Sequence, residues 1–564
     1  MKRVPKGQVH TQMDQIGGGK IVYLPLDERP CNYEFPHLLA RGTDAAVLRP
    51  DMELMGRKKT PGNTKELFRW LEAECEDAYG AIVSLDTLLY GGIVPSRLHS
   101  RSAEECRAAL TQLRRLKAHN PRLKLYALHL IMRCPQYSNA DEEPDYYDDW
   151  GRELFRLGYI GQREELGVAL PEELEEISSI RAELPDHIRD DYLSRRAVNV
   201  EANKAALELV ADGTIDFLVV PQDDSAPYGW TAKDQQAVRA RIAELDVELK
   251  ALMYPGADEA GCTLLARMLN EKNGTVPLLY PRFSSVQGPF VTPLYEDRIF
   301  GESLKYHILA AGGLMAQSAA EADLVLLVNT PGETMMEAVS QQHPLVGYQV
   351  QRNIIELVEY GRYAMKRLGK PVAVADVAYA NGGDLQLLKL LRQKGVLFEL
   401  AGYAGWNTSA NSLGTVLAQL MIYAIYGRTA GHLDFLALRF TEDFGYCSAV
   451  RRKLANGPVK ELGYNYFGVD GQRGKVAEMV LESLERFAEA HIDTDEITVR
   501  ITDCYMPWSR MFETGLTVQA VVKASVSGGA GQRGAAEGAA PEADPGPFSE
   551  GKGAAAAENN HARG

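Results

Sequence analysis

The strongest constraint on the fold is a recurring pair of signals: a short, unbroken apolar run, then a segment with helical periodicity. Ten such runs are readable, at 21–26, 45–48, 81–85, 124–132, 217–220, 251–254, 277–280, 324–329, 372–376 and 398–403. A strand that is apolar at consecutive positions must be covered on both faces, the situation of a parallel strand between helices. Segments such as 103–117 and 203–211 carry the amphipathic spacing of crossover helices. The pattern predicts an α/β protein: a (β/α)-barrel-like N-terminal part over 19–290, then further βα units over 291–430.

Other parts depart from this rhythm. Residues 140–200 are rich in Asp, Glu, Arg and Tyr and have helical spacing without an apolar run, which predicts a helical insertion. Residues 431–490 read as helical, and 495–523 alternate like two antiparallel strands around Pro507. Together 431–523 is expected to form a small helical and β-hairpin appendage. The ends, 1–18 and 524–564, hold too few large apolar side chains to offset their ordering entropy and are expected to be disordered. No fixed-period repeat is readable.

Charge and composition narrow the partners. With 76 acidic against 61 basic residues the net charge is −15, so no broad cationic face is available for nucleic acid or anionic membranes. No stretch of 18 apolar residues predicts a spanning helix. The opening MKRVPKGQVHTQMDQIGGGK lacks the apolar segment of a secretory leader, and the seven cysteines are scattered without a CxxC, which points to reduced thiols in the cytoplasm.

Polar residues gather where the strands end. Asp27, Glu28 and Arg29 follow the first run; Asp86 and Tyr90, with Arg97 beyond them, follow the third; Arg133 follows the fourth. Gln222, Asp223, Asp224 and Tyr228 follow the fifth, and Asp258 and Glu259 the sixth. Asn329, then Asp376 and Asn381, then Tyr403, Trp406, Asn407 and Asn411 close the later runs. Singly, an Asp or Asn there caps a helix. Jointly, they predict a site at the carboxyl ends of the strands for a small polyhydroxylated ligand, with amides and carboxylates on hydroxyls and aromatic rings on sugar faces.

The adjacent Asp223–Asp224 is the expected catalytic pair. Two neighbouring carboxylates repel, so one holds its proton to higher pH and acts as acid while the other stays charged. Two other readings are open. Asp27, Asp86, Asp223, Asp224 and Asp258 are oxygen ligands suited to Mg²⁺ or Mn²⁺ in a hydrolase or lyase whose anionic metabolite is held by Arg29, Arg97 and Arg133. The pocket could also bind sugar without catalysis. Outside the metal reading no cofactor is expected: the chain has no HExxH, P-loop or GxSxG, and the glycines of 402–414 do not form GxGxxG. His129, inside an apolar run, reads as a core residue.

Several segments carry a family resemblance. IVYLPLDERPCNY, SLDTLLYGGIVPSR, VPQDDSAPYG, YPGADEAG, GYAGWNTSANSLG and PWSRMFETGL resemble bacterial proteins grouped as domain of unknown function 4127, a likeness running from about residue 19 to 523. That label implies no reaction. The order of an Asp-Asp pair, an acidic strand end and a Trp-Asn loop is also similar to the O-GlcNAcase-type β-N-acetylglucosaminidases, which are TIM-barrel enzymes with vicinal aspartates. That resemblance implies that Asp223 orients the substrate's acetamide, Asp224 is the acid/base, and Trp406, Asn407 and Asn411 line the sugar pocket. It implies a glycosidase acting on a small, N-acetylated sugar conjugate. The chain departs from that pattern in the extra βα units between the pair and the Trp-Asn loop, and in its first-strand loop.

Overall fold

The structure, a computed structural model, describes residues 19–523. The segments expected to be disordered, 1–18 and 524–564, lie outside the described residues. Each of the ten apolar runs overlaps a strand. Six form one parallel sheet: β1 (Lys20–Leu24), β2 (Ala46–Leu48), β3 (Gly80–Ser84), β4 (Lys124–Leu128), β5 (Phe217–Gln222) and β6 (Ala251–Pro255), in the order β2-β1-β3-β4-β5-β6. A second parallel sheet holds β7 (Leu278–Phe283), β8 (Leu314–Met315), β9 (Leu324–Asn329), β11 (Val372–Asp376) and β13 (Gly402–Ala404), in the order β13-β11-β9-β7-β8. The two-residue strands β10 (Met336–Glu337) and β12 (Tyr379–Ala380) pair with each other.

The expected barrel does not form. The first sheet is open, with β2 and β6 at its edges, and β7 begins a new sheet instead of pairing with β6. A barrel needs the chain to advance around the sheet in one direction. Here the chain steps from β1 out to β2 and then crosses back to β3, and it repeats this step at β7, β8 and β9. Each sheet therefore has the doubly wound order 2-1-3-4-5, extended in the first lobe by β6. The repeat is one of topology and leaves no sequence period.

Alternation along the strands explains why the runs are unbroken. In β1, Ile21 and Tyr23 enter one apolar cluster while Val22 and Leu24 enter another on the opposite face. The first of these clusters continues into the second sheet through Leu326, Val374 and Tyr403, so the lobes share a core. The helices Ala260–Lys272 and Ser409–Tyr426 pack there at close range. A Cβ on Gly414 would lie 2.1 Å from Glu259 Cγ, so only glycine permits this approach.

Three helices, Tyr147–Glu165, Pro171–Glu183 and Asp186–Ala211, follow β4 and enclose a small core of their own around Tyr147, Ile177 and Tyr192. The last of them also serves as the crossover into β5. After the second sheet come further helices, a π-helical stretch Phe440–Val450, and the antiparallel hairpin of β14 (Ile497–Tyr505) and β15 (Gly515–Val522). All seven cysteines are free and buried. No helix among the described residues is long and apolar enough to cross a membrane.

Candidate functional site

In a doubly wound sheet the chain leaves two neighbouring strands in opposite directions, and a crevice opens at their carboxyl ends. The first lobe has this point between β1 and β3, the second between β7 and β9. Both open on one cavity of ≈ 440 Å³, lined by Arg29 beyond β1, Arg97 beyond β3, Tyr295 beyond β7 and Glu337 beyond β9. Arg133, Asp223, Asp224 and Asp258 reach it from the ends of β4, β5 and β6. Asn381, Asn407 and Asn411 reach it from the second lobe. The lobes are joined at its floor. Asn411 Oδ1 accepts from the Asp258 amide at 3.0 Å, and Asn407 Nδ2 donates to Asp258 Oδ2 at 3.3 Å.

The acidic pair is held from two sides. Arg97 donates to Asp223 Oδ2 at 2.9 Å, and Arg133 donates to Asp224 Oδ2 at 3.1 Å. Both arginines are tied from behind by the buried Glu143, at 3.2 and 2.7 Å, and by Glu142. A guanidinium presents a rigid fork of donors, so each arginine fixes one aspartate while its remaining donors stay engaged. Burial, then the Asp223 charge, pushes the Asp224 carboxyl up to about 7, against the pull of Arg133. Burial opposes ionisation of Glu142 too, but Arg510, Arg133 and Arg97 hold it well below the usual carboxylate range. The site thus offers a proton-holding carboxyl beside carboxylates clamped by arginine.

A second network closes the cavity. Arg29 binds Asp27 at 2.7 Å and Asp258 at 2.6 Å. Trp508, in the turn of the β14–β15 hairpin, meets two guanidiniums at cation–π distance, 4.8 Å from Arg29 and 4.5 Å from Arg510. Arg510 bonds Glu142 at 2.5 Å and Glu513 at 2.9 Å, which ties the hairpin to the first lobe. Glu28 points away: it accepts from Trp508 Nε1 at 2.6 Å and lines a larger cleft of ≈ 690 Å³ that contains neither member of the acidic pair. Burial, then Asp27, lifts Glu28 to about 7.

Backbone strain chooses between the two spaces. Of eight non-glycine residues with left-handed φ among the described residues, four line the smaller cavity: Asp224 (+40°), Tyr295 (+69°), Asn381 (+62°) and Asn407 (+25°). Each costs about 1–3 kcal/mol, and such strain concentrates where a ligand must be met in a set geometry. The larger cleft has only Trp508 of this kind.

The residues expected at the site divide accordingly. Arg29, Arg97, Arg133, Asp223, Asp224, Asp258, Asn381, Asn407 and Asn411 line the cavity, with Asp27 directly behind Arg29. Others are turned into the protein. Asp86 is buried, accepts from the Leu130 amide at 3.0 Å, and is raised by burial to about 7; His129 lies 3.8 Å away with its imidazole pushed down by burial to about 3. Tyr90 stacks on His99, Gln222 accepts from Arg298, and Glu259 accepts from the Ala257 amide. Tyr228 packs edge-on against Tyr159 of the helical insertion. Asn329, Asp376 and Tyr403 form a closed cluster.

Trp406 corrects the expectation of a sugar-stacking platform. It is buried edge-on against Phe35 at 5.6 Å and bonds Thr415 Oγ1 at 3.3 Å. An aromatic beside a Gly-Asn loop reads the same in sequence whether it faces the core or a cavity. The metal reading also loses its ligand set. Asp27, Asp86 and Asp223 go to separate partners, and no group of three His, Cys, Asp or Glu side chains suited to a metal ion occurs among the described residues.

Glu142, Tyr295, Glu337, Arg451 and Arg510 line the cavity without having been expected there. Only Arg510 had a signal, within the dense PWSRMFETGL segment. Glu142 and Tyr295 lie on loops, Arg451 on a helix and Glu337 in the two-residue strand β10, none of them marked by an apolar run.

No curated protein matches the chain. A family model described as a protein of unknown function, DUF4127, matches residues 21–517, and with its double crevice and paired aspartates inside that span the chain belongs to this family.

Proposed function

We propose that the chain is a glycosidase-type hydrolase acting on a small sugar conjugate between the two lobes, with Asp224 as acid/base and Asp223 as its charged partner. The carrying observation is the separate clamping of two adjacent carboxyls by Arg97 and Arg133, with Asp224 raised to about 7. A carboxyl that keeps its proton near neutral pH is what a general acid requires. In the step we assign, Asp224 gives its proton to the glycosidic oxygen as the C–O bond breaks. The oxygen of a 2-acetamido group closes on the anomeric carbon, while Asp223 accepts from the acetamide N–H and faces the developing positive charge. Water then opens the cyclic intermediate and returns a proton to Asp224.

Tyr137, Tyr295, Tyr466 and Phe512 supply the aromatic surfaces that Trp406 does not. The free, buried cysteines suit a cytoplasmic setting. The test is release of 4-nitrophenol or methylumbelliferone from 2-acetamido glycosides, with and without EDTA. Release that persists in EDTA and falls by about 10²–10⁴-fold in Asp224→Asn is expected. Silence on every 2-acetamido glycoside, or an undiminished rate in Asp224→Asn, defeats the reading.

A further inference from the structure

Resting on that placement of the site, we infer that Arg451 binds an oxyanion of the substrate, so that the ligand is an acidic sugar conjugate bearing a carboxylate or a phosphate. Five arginines line the cavity, and four already have their charge matched. Arg29 bonds Asp27 and Asp258; Arg97 bonds Glu142, Glu143 and Asp223. Arg133 bonds Glu142, Glu143 and Asp224, and Arg510 bonds Asp141, Glu142 and Glu513.

Arg451 differs from all of them. It is 3% exposed, and no carboxylate among the described residues lies within 4.0 Å of it. Its donors reach only main-chain oxygens, Phe512 O at 2.6 Å and Asn381 O at 2.7 Å, and its Nε has no partner. Carbonyls orient a guanidinium without neutralising it, and a buried cation with no carboxylate in contact is left short of a direct counter-ion. Both carbonyls belong to cavity-lining residues, so the fork is fixed at the wall. Glu337 on the same lining acts on Arg451 from beyond ion-pair distance, but its two oxygens bond Tyr295 Oη at 2.5 Å and Asn381 Nδ2 at 2.9 Å and make no hydrogen bond to the guanidinium.

The backbone agrees with this assignment. Arg451 directly follows the π-helical stretch Phe440–Val450, an unusual winding that recurs at functional sites. Arg451 comes from the region beyond the second sheet, whereas Asp223 and Asp224 come from the first lobe. An acidic pair repels an anion, so a charged substrate must place its anionic end elsewhere. Arg451 supplies that position and sets which bond meets Asp224.

The experiment is equilibrium binding to the full chain, by calorimetry and thermal midpoint, using inorganic phosphate and acetate as probes. The proteins are the wild type, Arg451→Gln, Arg451→Lys and Asp224→Asn. Saturable stabilisation of the wild type and of Asp224→Asn is expected, with affinity at least tenfold weaker in Arg451→Gln and partly kept in Arg451→Lys. Phosphate binding more tightly than acetate identifies a phosphorylated conjugate, and the reverse a carboxylated one. Should Arg451→Gln fail to fold, phosphate-dependent protection of the amides around 451 and 512 in wild-type hydrogen exchange gives the same information. Absence of binding to the wild type, undiminished binding in a folded Arg451→Gln, or protection confined to other segments overturns the inference. Anion binding without turnover would sink the hydrolase reading and leave Arg451's role standing. Turnover of neutral 2-acetamido glycosides without anion binding would do the opposite.

Discussion

At the end of β5 in the first lobe, Asp224 accepts one bond from Arg133 and faces the cavity. At the end of β11 in the second lobe, Asp376 accepts from Asn329, from the Asp384 amide and from Tyr403, and is buried. Burial and a neighbouring aspartate lift both carboxyls to about 7, with Asp223 acting on one and Asp384 on the other. A raised carboxyl therefore does not identify a site. Access does: Asp224 keeps an edge on open space, while the corresponding polar residues of the second lobe are used up in holding its strand ends together.

Substitution at the two carboxyls should break this equivalence most sharply. Asp224→Asn should lower turnover by about 10²–10⁴-fold with the thermal midpoint nearly unchanged. Asp376→Asn presents one amide donor to a set of donors and should cost about 1–3 kcal/mol of stability, read from denaturant unfolding, with ligand binding retained. The opposite assignment of activity loss and stability loss would show that the wrong lobe has been read as the site.

The arginines extend the comparison. Arg97→Met leaves Asp223 without its ion-pair partner and Glu143 with Arg133 alone, and Arg352→Met leaves the buried Asp384 without its own. Each change breaks a buried ion pair and should cost up to about 3–5 kcal/mol in chemical unfolding. Of these two, only Arg97→Met should also move the pH profile of kcat/KM, because Arg97, unlike Arg352, touches the acidic pair.

A pH dependence is expected as well. Asp224 and Asp376 release their protons near 3.8 when unfolded but hold them to about 7 when folded. The native state therefore binds more protons across that interval, and stability contributed by these groups is complete below about pH 4 and lost as pH rises through 7. The thermal midpoint should fall between pH 5 and 8, and Asp376→Asn should flatten that slope. A midpoint that climbs over this range would contradict the assignment. Activity should decline above pH 7 as Asp224 loses its proton. Least of all, Tyr228→Phe should shift stability by less than about 0.5 kcal/mol and leave turnover unchanged, since its ring packs on Tyr159 away from the cavity.

The central strands were legible because they are buried on both faces, a condition written into consecutive residues such as Ile21, Val22, Tyr23 and Leu24, whereas the short strands β8, β10 and β12 left no such run. Their order was not legible. Whether β6 pairs onward to close a barrel or stands as an edge depends on which strand the chain crosses to, and no local pattern encodes that choice. Within the site, Asp223 and Asp224 were recognisable as adjacent acids at a strand end. Glu142 was hidden in a polar segment and Arg451 in a helical one, where charged residues ordinarily face water.

The amino-acid sequence by itself determined ten of the strands, the crossover helices, the C-terminal hairpin and the family, since apolar runs, turn residues and extended motifs are properties of neighbouring residues. Only the tertiary structure decided that there are two open sheets, that their crevices meet, and which carboxyls remain reachable. Those outcomes depend on partners far apart in the chain, such as Arg510 and Glu142, which are 368 residues apart, or Arg29 and Asp258, which are 229 apart. A side chain's exposure is set by whatever arrives to cover it, and the covering residues carry no mark of their destination.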